Sequence, residues 1–297
     1  MSLKKGLTAY QLKIIAAIFM TIDHIQRTLE HTRAFDLWKL SGYMWQFGRI
    51  AAPLFCFLVA EGARHTHDRV RYIRRLYLAG LFTGIGTSII DIPMIKLFGI
   101  GFGSLGGMFY TFFFTVLHIH LIEGMIRSAK AREGRKFAKN LLLFLLSFLP
   151  TLLYVGEPSV FSLLRNFFCP VFSDTFTALS VYTGGFETLF PSPILVEYSY
   201  FFVLMGVCMY FAGEKYRMCG VFVGFCALCY LTARFNIGLF QEFYGIGDQH
   251  YMILALPFML FYNGARGKSH KYFFYIYYPV HYLILTIISA SLNKFFT

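Results

Sequence analysis

Residues 12–26, LKIIAAIFMTIDHIQ, and residues 48–62, GRIAAPLFCFLVAEG, decide the fold. Both stretches are apolar enough to cross a bilayer, yet Asp23 and His24 sit near the end of the first and Arg49 opens the second. An ionisable group inside a span costs a few kcal/mol and marks a functional site by default. The two stretches therefore predict a membrane protein with chemistry, or a polar pathway, inside its spans.

Composition agrees. Of 297 residues, 57% are hydrophobic, 20% aromatic and only 14% charged, and the mean hydropathy is +0.58. A soluble domain carries about 25% charged residues, so no large soluble domain is expected. The leader Met1–Gly6 is too short for a cleavable signal, and the first apolar run lacks a small-residue cleavage site, so that run is expected to remain as a helix.

Apolar runs near the roughly 20 residues that a span needs fall at about 9–28, 47–63, 73–92, 104–126, 139–155, 195–213, 217–234, 249–263 and 272–292. Pro150, Pro257 and Pro279 should kink or shorten their helices, and Pro53 should free the carbonyl of Arg49, four residues back, and bend the second helix there. The expected fold is all-α: a polytopic transmembrane helical bundle of about nine spans, in a single domain over 1–297. No linker divides the chain and no internal repeat is visible, so the inverted repeats of many transporters are not evident.

The basic residues orient the bundle. With the N-terminus cytoplasmic, the inner loops are Lys4–Lys5, RHTHDRVRYIRR (64–75), RSAKAREGRKFAK (127–139), EKYR (214–217) and GARGKSHK (264–271). The outer loops hold scattered cations such as Arg33, Lys39, Lys96 and Arg165. Every second loop is basic, as the positive-inside rule requires. The net charge of +12 is thus topological, and nucleic-acid binding is not expected of such short loops. The large outer segment, about 156–194, contains SVFSLLRNFFCPVF (159–172), which fits either a short interfacial helix with Arg165 at the headgroups or a lid packed over the spans.

Several chemistries find no support. Cys56, Cys208, Cys219, Cys226 and Cys229 lie in or at the ends of spans, and the Cys226/Cys229 pair reads as buried thiols. His118 and His120 point to different helix faces and make a poor ligand pair, so no metal is expected. Nucleotide-hydrolase and serine-hydrolase motifs are absent.

Depth sorts the polar residues. Asp23, His24, Arg49, Asp91, Arg234, Asp248 and His250 fall at outer ends; Glu61, His118, His120, Glu123, Asn263 and Arg266 fall toward the inner side; His281 is nearer the middle. Glu61, His118, Glu123 and His281 are the candidates to line a route between an inner basic mouth and the outer polar centre. His24 is the candidate base, because its ring titrates near neutrality. Asp23 lies about 100° around the helix from it and should pair instead with Arg27 or Arg49, since a carboxylate buried alone would protonate. A purely structural knot of Asp23, His24 and Arg49 between two helices is the competing reading.

LKIIAAIFMTIDHI (12–25), FGRIAAPLFCFLVAEGARHTHDRVRYIRRL (47–76) and FYNGARGKSHKYFFYIYYPVHYLIL (261–285), in that order, resemble the TraX family of integral membrane proteins. The middle of the chain, about 100–245, is similar only in its apolar character. The namesake acetylates the N-terminus of a conjugative pilin subunit. The family also resembles the wider transmembrane acyltransferases, which move acetyl from cytoplasmic acetyl-CoA to an extracytoplasmic acceptor. In that group a histidine near the end of an early helix is the catalytic candidate, and an arginine ahead of a Pro-containing helix supports it; His24 and Arg49 match those positions.

The resemblance implies a membrane-embedded acetyltransferase in a bacterial inner or plasma membrane. Its acceptor would be an amine or hydroxyl: a pilin N-terminus, a glycan or a small amine. His24 would be the general base, and Arg49 would neutralise Asp23 or a developing oxyanion. Arg64, Arg71, Arg74 and Arg75 on one inner loop, with Asn263, Arg266, Lys268 and Lys271 on another, would bind the phosphates of acetyl-CoA. Membrane lipids are the other expected partners. A small-anion or metabolite transporter using the same polar pathway is the alternative, and an assembly factor with purely structural polar residues is a third reading.

Overall fold

The computed structural model describes residues 5–31, 38–98, 107–154, 188–235, 246–268 and 273–296. Helices account for most of them: α1 (Ala9–His31), α2 (Trp38–Gly48), α3 (Ala51–His65), α4 (Arg69–Phe98), α5 (Gly107–Lys130), α6 (Gly134–Leu146), α7 (Thr151–Tyr154), α8 (Ser199–Ala212), α9 (Lys215–Arg234), a 3-10 helix (Ile246–Ala255), α10 (Leu256–Leu260) and α11 (Phe273–Phe296). No strand occurs among the described residues beyond one isolated bridge, Leu7 to Tyr262.

The chain forms two compact units. The first joins both ends of the sequence, 1–65 and 204–297; the second is 66–203. One junction falls in the short α3–α4 connection and the other inside α8, so no linker separates them.

In the first unit α1 packs on α2, α3 and α11. The buried stripe of α1 is Leu12, Ala16, Met20 and His24, with Ala17 and Asp23 beside it, which is the spacing of one helical face. Ala16, Ala17, Ala51, Ala52, Ala60 and Ala63 are all buried. Small side chains at such contacts let helix backbones approach closely, the usual way helices associate in lipid.

The α2–α3 span is interrupted at Arg49–Ile50, where Arg49 N–H bonds Gln46 O at 3.2 Å and Ile50 N–H bonds Phe47 O at 3.1 Å. Pro53 has no N–H to return to the Arg49 carbonyl, so the break falls where the proline demands it.

The start of α1 is capped twice over. Thr8 and Gln11 form a capping box, with Thr8 N–H bonding Gln11 Oε1 at 2.8 Å and Gln11 N–H bonding Thr8 Oγ1 at 3.3 Å. Loop 261–268 lies along it: Leu7 N–H bonds Phe261 O (2.7 Å), Asn263 N–H bonds Leu7 O (2.9 Å), and Ala9 and Tyr10 N–H bond Ala265 O and Arg266 O (2.8 and 3.1 Å). These loop carbonyls satisfy N–H groups that a helix start leaves without partners. Gly267, at φ +73°, lets the loop approach, since a Cβ there would fall 2.6 Å from Thr8 Oγ1.

In the second unit α5 packs between α4 and α6. Its core joins Tyr110 and Phe114 of α5 to Val196 and Val203, with Tyr77 and Phe113 against them. Asp68 caps α4 by accepting from Arg71 N–H at 2.9 Å. Arg69 forms a short ion pair with Glu123, which Arg127 also contacts at 3.3 Å.

Two apolar runs differ from a simple span. The run at 139–155 is divided between α6 and α7, and residues 147–151 turn with tighter bonds, such as Phe148 N–H to Leu145 O and Thr151 N–H to Phe148 O. Pro150, lacking an N–H, sits in that turn. The run at 249–263 is mostly 3-10 helix, passing into α10 near Pro257, which has no N–H to give the carbonyl of Ile253. The expected outer helix at 159–172, with Arg165 and Cys169, lies outside the described residues.

Candidate functional site

Asp23, His24, Arg49 and His281 are brought together in the first unit, all at least nine-tenths buried. Arg49 Nη2 donates to Asp23 Oδ1 at 3.4 Å, so α1 and α2–α3 are joined by a buried ion pair. The guanidinium also lies over the ring of Trp45, 4.7 Å from its centroid, a cation–π contact one turn earlier in α2. Gly48 makes room for the carboxylate: a Cβ there would fall 2.5 Å from Asp23 Cβ and 2.8 Å from its Cγ. Asp23 therefore takes Arg49; the side chain of Arg27, the other expected partner, lies outside the described residues.

His24 points to a different neighbour. Its Nδ1 is 2.7 Å from His281 Nε2, and the two rings are parallel within 4° at 4.9 Å between centroids. His281 Nδ1 lies 2.8 Å from the Tyr277 carbonyl one turn back in α11. The Tyr277 ring stacks on His281 at 5.0 Å and 9°, and its hydroxyl lies 2.6 Å from Thr21 Oγ1. Thr21 in turn donates to Ala17 O at 2.9 Å. The adjacent residues Asp23 and His24 thus carry a guanidinium–carboxylate pair and an imidazole pair from one turn of α1.

A second feature of this unit is a cavity of about 700 Å³ lined by Lys5, Glu61, Lys215, Tyr262, Asn263 and Gly264, among others. Lys215 Nζ donates to Leu260 O and Tyr262 O at 2.8 and 3.0 Å. Glu61 pairs with Arg64 and His65, each at 3.2 Å. Arg64 also bonds Tyr210 O at 3.1 Å, tying α3 to α8. Asn263 donates to Gly6 O (3.2 Å) and accepts from Ala265 N–H (2.9 Å), holding the loop to the start of the chain. Fifteen residues of α1 separate Ala9, near this cavity, from His24, or about 22 Å at 1.5 Å each.

The other expected residues fall elsewhere. Arg266 and Lys268 are exposed on the loop after α10, and Lys271 lies outside the described residues. Arg71, Arg74 and Arg75 belong to the second unit, at the start of α4, where Arg71 pairs with Asp68 at 3.3 Å. His118 and Glu123 also belong there. His118 is fully buried, with Nε2 at 2.9 Å from Ser147 Oγ and Nδ1 at 3.3 Å from Tyr200 Oη. Ser147 gives its own proton to Phe144 O, so it accepts from His118 Nε2–H and Tyr200 donates to Nδ1. Phe114, Phe144, Phe148 and Tyr200 surround the ring. Both of its nitrogens are engaged inside the fold. Glu123 is committed to Arg69 and Arg127.

Sequence reasoning missed Trp45, Gly48, Tyr277, Lys5 and Lys215. A tryptophan four residues before Arg49 and a tyrosine four before His281 were the available signals. Among the described residues no three His, Cys, Asp or Glu side chains stand close enough to hold a metal ion, and Cys56, Cys219, Cys226 and Cys229 are buried free thiols.

By length and mean hydropathy, 43–65, 107–130 and 215–234 are able to cross a membrane, and 199–212, 249–260 and 273–289 are shorter apolar helices. Large apolar side chains such as Ile18, Phe82, Leu228, Ile284 and Ile287 face outward, while the charged Asp23 and Arg49 are buried. This inverts the soluble pattern and defines an α-helical membrane protein with a polar centre in its helices. The chain belongs to the TraX family: the TraX protein profile matches residues 8–125 and 186–289. It is also 29% identical over 160 residues to a probable fimbrial assembly protein FimC, serogroup H1, of Dichelobacter nodosus. That match covers 50% of this chain and 57% of the relative, so the chain spans little more than half of that protein's length. No solved structure gives a significant match.

Proposed function

We propose that the chain is a membrane-embedded acetyltransferase that moves acetyl from cytoplasmic acetyl-CoA to an amine or hydroxyl on the extracytoplasmic side. The observation that carries this reading is the buried His24, hydrogen-bonded to His281 beside the Arg49–Asp23 pair in a TraX-family chain. The relative's name adds a setting, fimbrial assembly, which makes the N-terminal amine of a pilin the first acceptor to try. About nine spans in a bacterial inner or plasma membrane, with the N-terminus cytoplasmic, complete the reading.

The residues present suit such a donor. A cavity of about 700 Å³ is within the range of small-molecule sites, and Lys5 and Lys215 on its wall are matched to phosphate charge. Arg266 and Lys268 stand on the same loop as Asn263. Arg71, Arg74 and Arg75 remain candidates for the same phosphates, and Lys271 is a further one. The roughly 22 Å of α1 between cavity and His24 calls for an elongated donor, extended along the bundle.

Acetyl-CoA supplies a thioester carbonyl and a thiolate leaving group. His24 takes the proton of the attacking amine or hydroxyl as the new bond to the carbonyl carbon forms, and returns it to the sulfur as the C–S bond breaks. Arg49 neutralises the charge of Asp23 or of the developing oxyanion.

Purified protein in liposomes, given radiolabelled acetyl-CoA and an N-terminal pilin peptide, an oligosaccharide or a small amine, tests the reading. Wild type should label an acceptor, and His24→Ala should lower turnover a hundredfold or more while its folding is retained. A folded His24→Ala variant with wild-type transfer would remove His24 as the base. Solute movement without consumption of acetyl-CoA would favour a small-anion or metabolite transporter instead.

A further inference from the structure

The His24–His281 contact carries more than proximity, because hydrogen-bond direction fixes which nitrogen holds each proton. The Tyr277 carbonyl only accepts, so His281 Nδ1, 2.8 Å away, must be the protonated nitrogen of that ring. A neutral imidazole with its proton on Nδ1 has a lone pair on Nε2. That lone pair faces His24 Nδ1 at 2.7 Å, so His24 must donate, and its own proton sits on Nδ1. The basic lone pair of His24 is then on Nε2, on the far side of the ring from His281. For a neutral pair this is the one arrangement that satisfies both contacts.

We propose that His281 is a positioning residue that locks His24 in its Nδ1–H form and so makes Nε2 the proton-accepting atom. The inference rests on the reading of His24 as the base. The second partner of the base comes from α11, 257 residues along the chain, and is an imidazole rather than the carboxylate that orients many catalytic histidines. The Asp23 carboxylate, for its part, accepts from Arg49.

Tyr277 serves the lock in two ways. Its carbonyl sets the His281 tautomer, and its ring, stacked on His281 at 9°, keeps that imidazole in the plane of His24. Thr21 donates to Ala17 O, so the Tyr277 hydroxyl donates to Thr21 Oγ1, and the stacking ring is itself anchored to α1. When His24 accepts a proton at Nε2, its Nδ1–H still donates to His281 Nε2, so the imidazolium keeps a neutral acceptor beside it and no bond has to rearrange.

Nitrogen-15 NMR of histidine-labelled protein in lipid nanodiscs reads the tautomers directly, with peaks assigned by their loss in His24→Ala and His281→Gln. The expected result for wild type is a protonated Nδ1 and a bare Nε2 on both rings. A His24 protonated at Nε2 with a bare Nδ1 overturns the proposal whatever the protein catalyses, so the tautomer and the acetyl-transfer reading fail separately. In turnover, His281→Leu should lose about a hundredfold, as expected when a base is released to the wrong tautomer. His281→Gln, whose amide oxygen can accept from His24 Nδ1–H at the same place, should recover at least a tenth of wild-type activity. Equal loss in both variants, with both folded, counts against positioning through an acceptor at this point.

Discussion

Removing one member of the Asp23–Arg49 pair should destabilise the first unit far more than removing both. The groups are 3.4 Å apart and their side chains 7% and 6% exposed. At an effective dielectric of about 20 their attraction is about 5 kcal/mol, most of it offset by the cost of taking both ions out of water or headgroups. Arg49→Met leaves the carboxylate buried without its guanidinium, and should cost about 3–5 kcal/mol, including the lost contact with Trp45 of about 1 kcal/mol. Asp23→Asn should cost nearly as much, because the cation then loses its counter-charge. In Asp23→Asn/Arg49→Met no charge remains, and the loss should fall to about 1–2 kcal/mol, mostly the Trp45 contact and imperfect packing. The coupling, at least about 2 kcal/mol, is the quantity that tests the pair. Equilibrium unfolding in mixed micelles, titrated with a denaturing detergent and followed by tryptophan fluorescence, measures all four proteins. Additive single effects, with coupling under about 0.5 kcal/mol, would show that the two groups do not share a buried contact and would refute the argument.

Gly48→Ala should act on the same pair without touching either charge. The added methyl meets Asp23 at the distances given above, and such overpacking costs about 1–3 kcal/mol; unaltered unfolding would mean that α1 and α2 do not approach as described. Thr8→Ala removes half of the capping box and should cost about 1 kcal/mol, read in the same unfolding assay. Arg71→Ala, Arg74→Ala, Arg75→Ala and Lys268→Ala, tested singly, should each weaken binding of CoA, and by less as salt rises, because screening already weakens the contribution of an exposed charge; unchanged affinity in all four at low salt would leave Lys5 and Lys215 as the phosphate contacts. Reporter fusions after Lys136 and Lys268 should read cytoplasmic and a fusion near Ser173 external, and a cytoplasmic signal at Ser173 would overturn the orientation.

The sequence alone determined where the helices lie and which residues were costly enough to need a reason. Most of each apolar run is helix among the described residues, because a run of apolar side chains in a chain whose backbone must bond to itself leaves little besides helix. The break at Arg49 was legible in the same local way, since Pro53 removes one identifiable hydrogen bond. Asp23, His24 and Arg49 stood out because ionisable groups are rare in such runs. Local pattern did not reveal the change of helix type before Pro257 or the division of 139–155 between two helices, which depend on how individual turns pack. Partnership was the part that only the tertiary structure decided. Periodicity places a residue on one face of its own helix, but it carries no information about which face of another helix lies opposite. Sequence depth put His118 and His281 on one expected route; it did not show that His118 meets Ser147, Tyr200 and phenylalanine rings within its unit or that His281 meets His24 within the other. The choice of Arg49 as partner for Asp23, the space left by Gly48 and the cavity between Glu61 and Lys215 arise in the same way, from helices meeting across long separations in sequence.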